Sequence, residues 1–233
     1  MPLCVVTGGA GALGADVARA LVSRGDDVAL VDMPRAQERM NALVKELGPK
    51  VTAHVDLASA CARGDVEFAA LIAGGWAGGT PLAEAKDDAT FRAMMDSNAA
   101  TVHAALRTLL PGMVARKHGA IVVVGSRNVE RPWTGKGSAE YTASKAAAVA
   151  MAQAASAEVL EHGVRINSIL PSTMDTAANR ASIAEGDRQG RSTPNADVTR
   201  WVTTKSAAGV VAFLLSDAAR DISGAAIPLY GRA

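Results

Sequence analysis

Tyr141 and Lys145 stand four residues apart in Tyr141-Thr142-Ala143-Ser144-Lys145. On a helix that spacing puts both side chains on one face. A phenol ordinarily keeps its proton up to pH ~10. An ammonium one turn away favours the phenolate and draws that value down. Bringing it to about 7 takes roughly 4 kcal/mol of differential interaction, from Lys145 and a cationic cofactor together. Tyr141 would then give or take a proton near neutrality. Alone, the pair fits an ordinary helix start equally well, with Tyr141 packed and Lys145 in solvent. The remaining chemistry-bearing residues favour the first reading.

Leu3-Cys4-Val5-Val6-Thr7 reads as a short buried strand running into Gly8-Gly9-Ala10-Gly11-Ala12-Leu13-Gly14, and 15–24 continue as an apolar-periodic helix. Gly9, Gly11 and Gly14 fit G-x-G-x-x-G in the strand–turn–helix context where it is informative. Such glycines let backbone approach a pyrophosphate, and the helix start offers free N–H groups and the positive end of its dipole. A glycine-rich turn without a ligand is the weaker alternative. A second strand, 28–31, ends in Asp32, 18 residues beyond Gly14. A carboxylate there can accept hydrogen bonds from ribose hydroxyls and repels a 2′-phosphate, so NAD(H) is favoured over NADP(H). Arg35 softens that preference. Asp32 also fits a helix cap before Pro34. Asp56, closing a third strand over 51–55, is placed to meet an adenine amino group or to cap.

These residues need a scaffold, and the alternation of elements supplies one. Helix is expected over 35–47 and a fourth strand over 68–73. After it, Gly74-Gly75-Trp76-Ala77-Gly78-Gly79 suggests backbone passing close to a ligand, or a sharp loop. Only eleven residues separate Asp56 from Phe68; a crossover between parallel strands needs about a dozen or more, so any helix there must be very short. Residues 84–115 read as helical, with Asn98 among them and a break near Pro111. Ala120-Ile121-Val122-Val123-Val124 is a run typical of a strand buried on both faces, and it ends in Gly125-Ser126. A long helix follows from Tyr141 to about Glu161, then a strand over 165–170. Residues 177–200 are polar with little periodicity and read as a substrate loop or lid. A helix over 204–216 and a strand over 225–229 close the chain. The pattern predicts an α/β fold, a Rossmann-type doubly wound parallel sheet in three α/β/α layers, as one domain over 1–233.

Composition agrees. The 233 residues are 49% hydrophobic and 20% charged, ordinary for a globular protein with a large core. A net charge of +1 gives no electrostatic case for nucleic acid or an anionic membrane. The longest apolar runs fall short of a membrane span, and the N-terminus lacks the pattern of a signal peptide. Cys4 and Cys61 have no metal-ligand spacing and are read as reduced thiols of a cytoplasmic protein. His54, His103, His118 and His162 are scattered, so no metal is expected.

Taken together, Thr7-Gly8…Ala12-Leu13-Gly14, Asp32, Asp56, Asn98, Ser126, Tyr141-x-x-x-Lys145 and Pro171…Thr176 resemble the short-chain dehydrogenase/reductase family over essentially the whole chain. The resemblance implies a nicotinamide dinucleotide, NAD(H) or NADP(H). It also implies Tyr141 as acid/base and Lys145 lowering its pKa while bonding the nicotinamide ribose. Ser126 would polarise the substrate carbonyl, and Asn98 would hold a water behind Lys145. Ala73, Gly74 and Gly75 would border the cofactor with Pro171 and Thr173, and Thr176 would bond the nicotinamide carboxamide. Family members are mostly dimers or tetramers packing the helices that contain 90–112 and 141–160, so a homodimer or homotetramer is expected.

Three features depart from the family pattern. Ile72-Ala73-Gly74-Gly75 stands where Asn-Asn-Ala-Gly is usual. The crossover before it is short. The spacing from Ser126 to Tyr141 is two residues longer than usual, which sets Asn128 at the serine's customary position. Ser126 is favoured because it directly ends the apolar strand. The segments 73–79 and 170–180 resemble the dihydropteridine reductase branch, which reduces a quinonoid dihydropterin and commonly lacks that serine. Trp76, Trp133 and Met174, with Asn128, are candidates to line an apolar substrate pocket, or the first three merely pack the loops. The expected function is therefore NAD(H)-dependent hydride transfer between the cofactor and a small carbonyl or secondary alcohol. The alternatives are an NADH-dependent quinonoid dihydropteridine reductase and a redox-silent nucleotide-binding regulatory protein on the same fold.

Overall fold

In the computed structural model, which describes residues 2–62, 66–188 and 197–232, seven parallel strands form the central sheet. In chain order the elements are β1 (Leu3–Thr7), α1 (Ala12–Arg24), β2 (Asp27–Val31), α2 (Gln37–Leu47), β3 (Val51–His54), α3 (Leu57–Ala60), β4 (Val66–Leu71), α4 (Ala89–Met94), α5 (Thr101–Arg116), β5 (Gly119–Val124), α6 (Ala139–Val159), β6 (Val164–Pro171), β7 (Met174–Asp175), α7 (Ala177–Arg188), β8 (Val202–Thr203), α8 (Thr204–Leu214) and β9 (Ala226–Leu229). Strand order is β3-β2-β1-β4-β5-β6-β9, and β7 pairs with β8 apart from the sheet. The chain works outward from β1 to β3, then returns to place β4 on the other side of β1. The carboxyl ends of β1 and β4 thus flank the point where winding reverses, which in open α/β sheets is where ligands bind.

Side chains of the buried strands alternate between two cores, as period-two geometry requires. Cys4, Val6, Ala120, Val122 and Val124 pack with Val17 and Leu21 of α1, Met40 of α2 and Val211 and Leu214 of α8. Leu3, Val5, Ile121 and Val123 pack with Leu106, Leu109 and Met113 of α5 and Ala148 and Ala152 of α6. The result is the three-layer single domain that the alternating pattern implies. Among the described residues no helix is long and apolar enough to cross a membrane.

Three local findings differ from or sharpen the expectations. The break expected at Pro111 does not occur: α5 runs through it. Leu109 and Met113 are buried on either side, and Arg107, whose carbonyl loses its amide partner four residues on, faces solvent, where water can satisfy it. The irregularity lies earlier, in one wide π turn over Met95–Ala100 between α4 and α5. Residues 177–188 are helical rather than loop. Thr176 accepts a hydrogen bond from the Asn179 amide at the helix start, and a run rich in alanine carries it on. Of the rest of the expected lid, 189–196 lie outside the described residues and Val198–Arg200 form a 3₁₀ turn capped by Asp197. In the short crossover α3 has only four residues.

Candidate active site

The glycine turn is built around contacts that side chains would prevent. Gly8 has φ +68°, and a Cβ there would stand 2.9 Å from the Ala73 amide nitrogen. At Gly14 a Cβ would strike the Gly8 carbonyl oxygen and lie 2.8 Å from the Gly9 Cα. Helix α1 therefore starts against the end of β1, and Gly11 at its start provides no side-chain cap. Its first N–H groups, on Ala12, Leu13 and Gly14, have no intrahelical acceptor. Thr7 joins the two central strand ends, its hydroxyl accepting from the amides of Ile72 (3.0 Å) and Ala73 (3.2 Å).

Asp32 turns its carboxylate toward this loop. Its Oδ2 accepts from the Ala10 amide at 3.0 Å and its Oδ1 from the Met33 amide at 2.8 Å. The 3₁₀ turn at Pro34–Ala36 has no side-chain cap, so the capping alternative for Asp32 is not what forms. Asp56 does cap: its Oδ1 accepts from the Ser59 amide at 2.8 Å at the start of α3, and those amides hold its carboxyl below the usual range. It remains exposed beside the end of β3.

Just past the end of β5 the side chains expected to handle protons come together. The Ser126 Oγ accepts from the Asn128 amide at 3.3 Å, and the side chain stands beside the Tyr141 hydroxyl, where it favours the ionised phenol. One turn on, Lys145 is 7% exposed and donates from Nζ to the Val124 carbonyl at 2.8 Å. Burial lowers the Lys145 pKa from 10.5 to about 8. Burial also pushes Tyr141 up, opposed by Ser126. The lowering expected from Lys145 and a cationic cofactor together does not occur in the ligand-free protein, where desolvation of the phenolate dominates.

Asn98 reaches this cluster from the π turn. Its side chain bonds Gly75 in both directions, accepting from the amide and donating to the carbonyl at 3.1 Å each, and donates to Ser144 Oγ at 3.1 Å. A Cβ on Gly74 would collide with Asn98 Oδ1 and lie 3.2 Å from Lys145 Nζ. Gly74, which replaces the family's usual alanine after β4, is therefore where Asn98 and Lys145 close on the backbone. Ser144, which sequence reasoning did not single out, links Asn98 to the carbonyl of Tyr141.

The longer serine-to-tyrosine spacing has a direct explanation. Residues 127–138 form two short 3₁₀ turns that absorb the extra length. Asn128 does not take the serine's place. It braces the loop, donating from Nδ2 to Thr142 Oγ1 at 3.2 Å and accepting from Thr134 Oγ1 at 3.0 Å.

Beyond β6, Pro171 pairs with Leu229, the Thr173 carbonyl accepts from the Val202 amide, and Met174 packs partly against the core. Trp76 and Trp133 are 59% and 74% exposed, so neither is buried as loop packing.

A family model described as enoyl-(acyl carrier protein) reductase matches residues 8–231. A solved short-chain dehydrogenase/reductase family oxidoreductase from Burkholderia thailandensis is 31% identical, with a TM-score of 0.86 over 99% of this chain and 91% of that one. The chain belongs to the short-chain dehydrogenase/reductase family. Two relatives share 29% of their residues with it. The 2-(S)-hydroxypropyl-CoM dehydrogenase 3 of Xanthobacter autotrophicus aligns over 97% of this chain and 94% of its own length. The galactitol 2-dehydrogenase of Rhizobium johnstonii aligns over 96% and 91%. As a short-chain dehydrogenase/reductase the protein is an oxidoreductase. The side-chain-free cradle between Gly8, Gly14 and Ala73, the uncapped start of α1 and the carboxylate of Asp32 fit the nicotinamide dinucleotide that such enzymes use.

Proposed function

We propose that this protein is an NAD(H)-dependent enzyme interconverting a small carbonyl compound and the corresponding secondary alcohol, with Tyr141 as its acid/base. The observation that carries the reading is the juxtaposition of Ser126 and the Tyr141 hydroxyl just past the end of β5, with Lys145 buried one turn further along α6 and bonded to the Val124 carbonyl. Amides of Ala12, Leu13 and Gly14 at the start of α1 would hold the diphosphate within the turn shaped by Gly8, Gly9 and Gly11, Asp32 would hold the adenosine ribose and Asp56 the adenine. Ala73, Gly74, Gly75, Pro171, Thr173 and Thr176 would border the nicotinamide half. Asp32 would repel a 2′-phosphate, which supports NAD(H).

When bound, the cofactor accepts or donates a hydride at the substrate carbon. Ser126 orients and polarises the substrate oxygen, and Tyr141 gives that oxygen a proton in reduction or takes one in oxidation. Lys145 keeps its ammonium near neutrality and favours the phenolate when Tyr141 releases its proton. Positive charge entering with the oxidised cofactor opposes the same burial that raises Tyr141. Asn98 fixes the loop after β4 and lies close enough to Lys145, through Gly74, to pass protons by way of water.

A quinonoid pterin reductase has no use for the Ser126–Tyr141 contact, and a redox-silent protein has no reason to keep the four side chains assembled. Exposure of Phe91 (44%) and Leu160 (53%) near the helices expected to pack between subunits supports a homo-oligomer. The test follows NADH oxidation with ketones, aldehydes and quinonoid dihydropterin. Tyr141→Phe is expected to lower turnover at least a thousandfold while NADH binding persists; full activity in that variant overturns the assignment.

A further inference from the structure

Arg127 directly follows Ser126, and the reaction just described gives it no part. It is only 9% exposed. Its Nε is buried without a hydrogen-bond partner, and no carboxylate among the described residues acts on its guanidinium. The nearest cation makes matters worse: Arg131 and burial both push Arg127 down from its usual value, against Tyr230. An arginine stays charged all the same. The guanidinium of Arg131 lies over the Tyr230 ring, 4.7 Å from its centroid. The neighbouring carboxylate, Glu130, is engaged by the Tyr230 hydroxyl. Two guanidiniums thus sit together, and among the described residues the buried one has no counter-ion. Such a charge is unfavourable unless something pairs with it, and a folded chain gains nothing from it structurally.

The position says what would pair with it. Arg127 and Arg131 follow β5. Tyr230 follows β9, and its carbonyl accepts from the Ser172 hydroxyl just past β6. The cluster therefore lies at the carboxyl ends of β5, β6 and β9, one residue from the serine that touches Tyr141, on the side of the sheet where substrates enter.

We propose that Arg127, backed by Arg131, binds an anionic group on the substrate, so that the enzyme acts on carbonyl or hydroxy compounds bearing a carboxylate, sulfonate or phosphate a few bonds from the reacting carbon. The planar fork of an arginine bonds two oxygens of any of these anions. The proposal rests on the carbonyl reading of Ser126 and Tyr141.

The experiment uses matched substrate pairs: acetoacetate and its methyl ester, 4-oxopentanoate and its methyl ester, 2-oxopropanesulfonate and butanone, dihydroxyacetone phosphate and dihydroxyacetone. For each, kcat/KM is measured with the wild type, Arg127→Met and Arg127→Lys. The anionic member of at least one pair is expected to be preferred about tenfold to hundredfold, mainly through KM. Which pair responds identifies the anion. The preference should collapse in Arg127→Met and return in part in Arg127→Lys. Equal turnover of charged and neutral members by the wild type, or a preference that survives in Arg127→Met, overturns the anion site and leaves the carbonyl reading standing. Should no pair be turned over, calorimetric titration of the NADH-loaded protein with the same anions decides. Binding lost in Arg127→Met keeps the anion site and sinks the carbonyl reading; no binding by the wild type sinks both. Arg127→Gln takes the place of Arg127→Met if the latter does not fold.

Discussion

Replacing Lys145 with methionine should stabilise the ligand-free protein at neutral pH and change how its stability depends on pH. Lys145 is buried, and its pKa falls from 10.5 to about 8 because desolvation disfavours the ammonium. The unfolded chain restores the ordinary value. Between pH 8 and 10.5 the unfolded state therefore holds a proton that the folded state has lost, and stability rises with pH across that window. Below it both states are protonated and the full penalty applies. The fall in pKa corresponds to about 3 kcal/mol. Methionine keeps most of the stem's volume without the charge. It also removes the donor to the Val124 carbonyl at 2.8 Å, which costs about 1 kcal/mol. Lys145→Met should then be more stable than the wild type by about 2 kcal/mol at pH 7 and less stable by about 1 kcal/mol near pH 10.5. Urea denaturation of both proteins across this range measures it. The difference between them cancels the surface groups that titrate in both. A difference that stays constant with pH would refute the argument, because it would mean that Lys145 does not titrate abnormally in the fold. The same variant should lose activity, so stability and catalysis are expected to move in opposite directions at this position.

Two further substitutions test the cofactor end of the site. Gly14→Ala places a Cβ against the backbone of Gly8 and Gly9, atoms that cannot swing aside. Overpacking of this kind costs about 1–3 kcal/mol, and the start of α1 must shift; a lower melting temperature and NADH affinity weakened more than tenfold are expected, and unchanged affinity by fluorescence titration would show that the helix start does not hold the diphosphate. Asp32→Ser removes a carboxylate that would sit near a 2′-phosphate. Two charges ~5 Å apart near a protein surface repel by about 3 kcal/mol before salt screening, so the NADPH-to-NADH ratio of kcat/KM should rise tenfold or more, and a ratio that does not move would remove Asp32 from cofactor choice.

Much of this was legible in the sequence because the relevant signals are local. The apolar runs of β1, β4 and β5 are strands with both faces covered, and the glycines between β1 and α1 mark backbone contacts that no side chain permits. Of the four expected proton-handling residues, Tyr141 and Lys145 could be named because they share one helical face, whereas Ser126 and Asn98 were named through the family resemblance. What was not legible depends on partners distant in the chain. The π turn that carries Asn98 inward has no periodicity of its own, since a single inserted residue only shifts the apolar pattern of a helix. Whether Pro111 breaks α5 depends on Leu109 and Met113 anchoring both sides. Helix α7 was hidden because its apolar face is weak and its start depends on Thr176 acting as a cap. The pKa of Tyr141 went the other way from the simple pair argument because burial acts on every charged form, while the pair acts on one. Arg127 offered only a faint signal, a cation three residues beyond a run of five apolar residues.

The end of β5 organises the chemistry more than any helix does. Its last residue and those just after it are placed in succession: the Val124 carbonyl holds Lys145, Ser126 stands beside the Tyr141 hydroxyl, and Arg127 follows, buried. Strand β5 is hydrogen-bonded to β4 on one side and β6 on the other, with every residue buried. Its end is therefore among the least mobile points of the fold, and it fixes two side chains from α6 at once. The loop after it, 127–138, is held by weaker means, namely two 3₁₀ turns and the Asn128 bonds to Thr134 and Thr142. Changes within that loop should alter which substrates are accepted before they alter the proton transfer itself. The division follows from where the contacts are: the proposed acid/base pair is anchored at the sheet's end, whereas the residues that would meet the rest of the substrate are anchored to one another, to Thr142 of α6, to Tyr230 and, through Gly137, to Gly79.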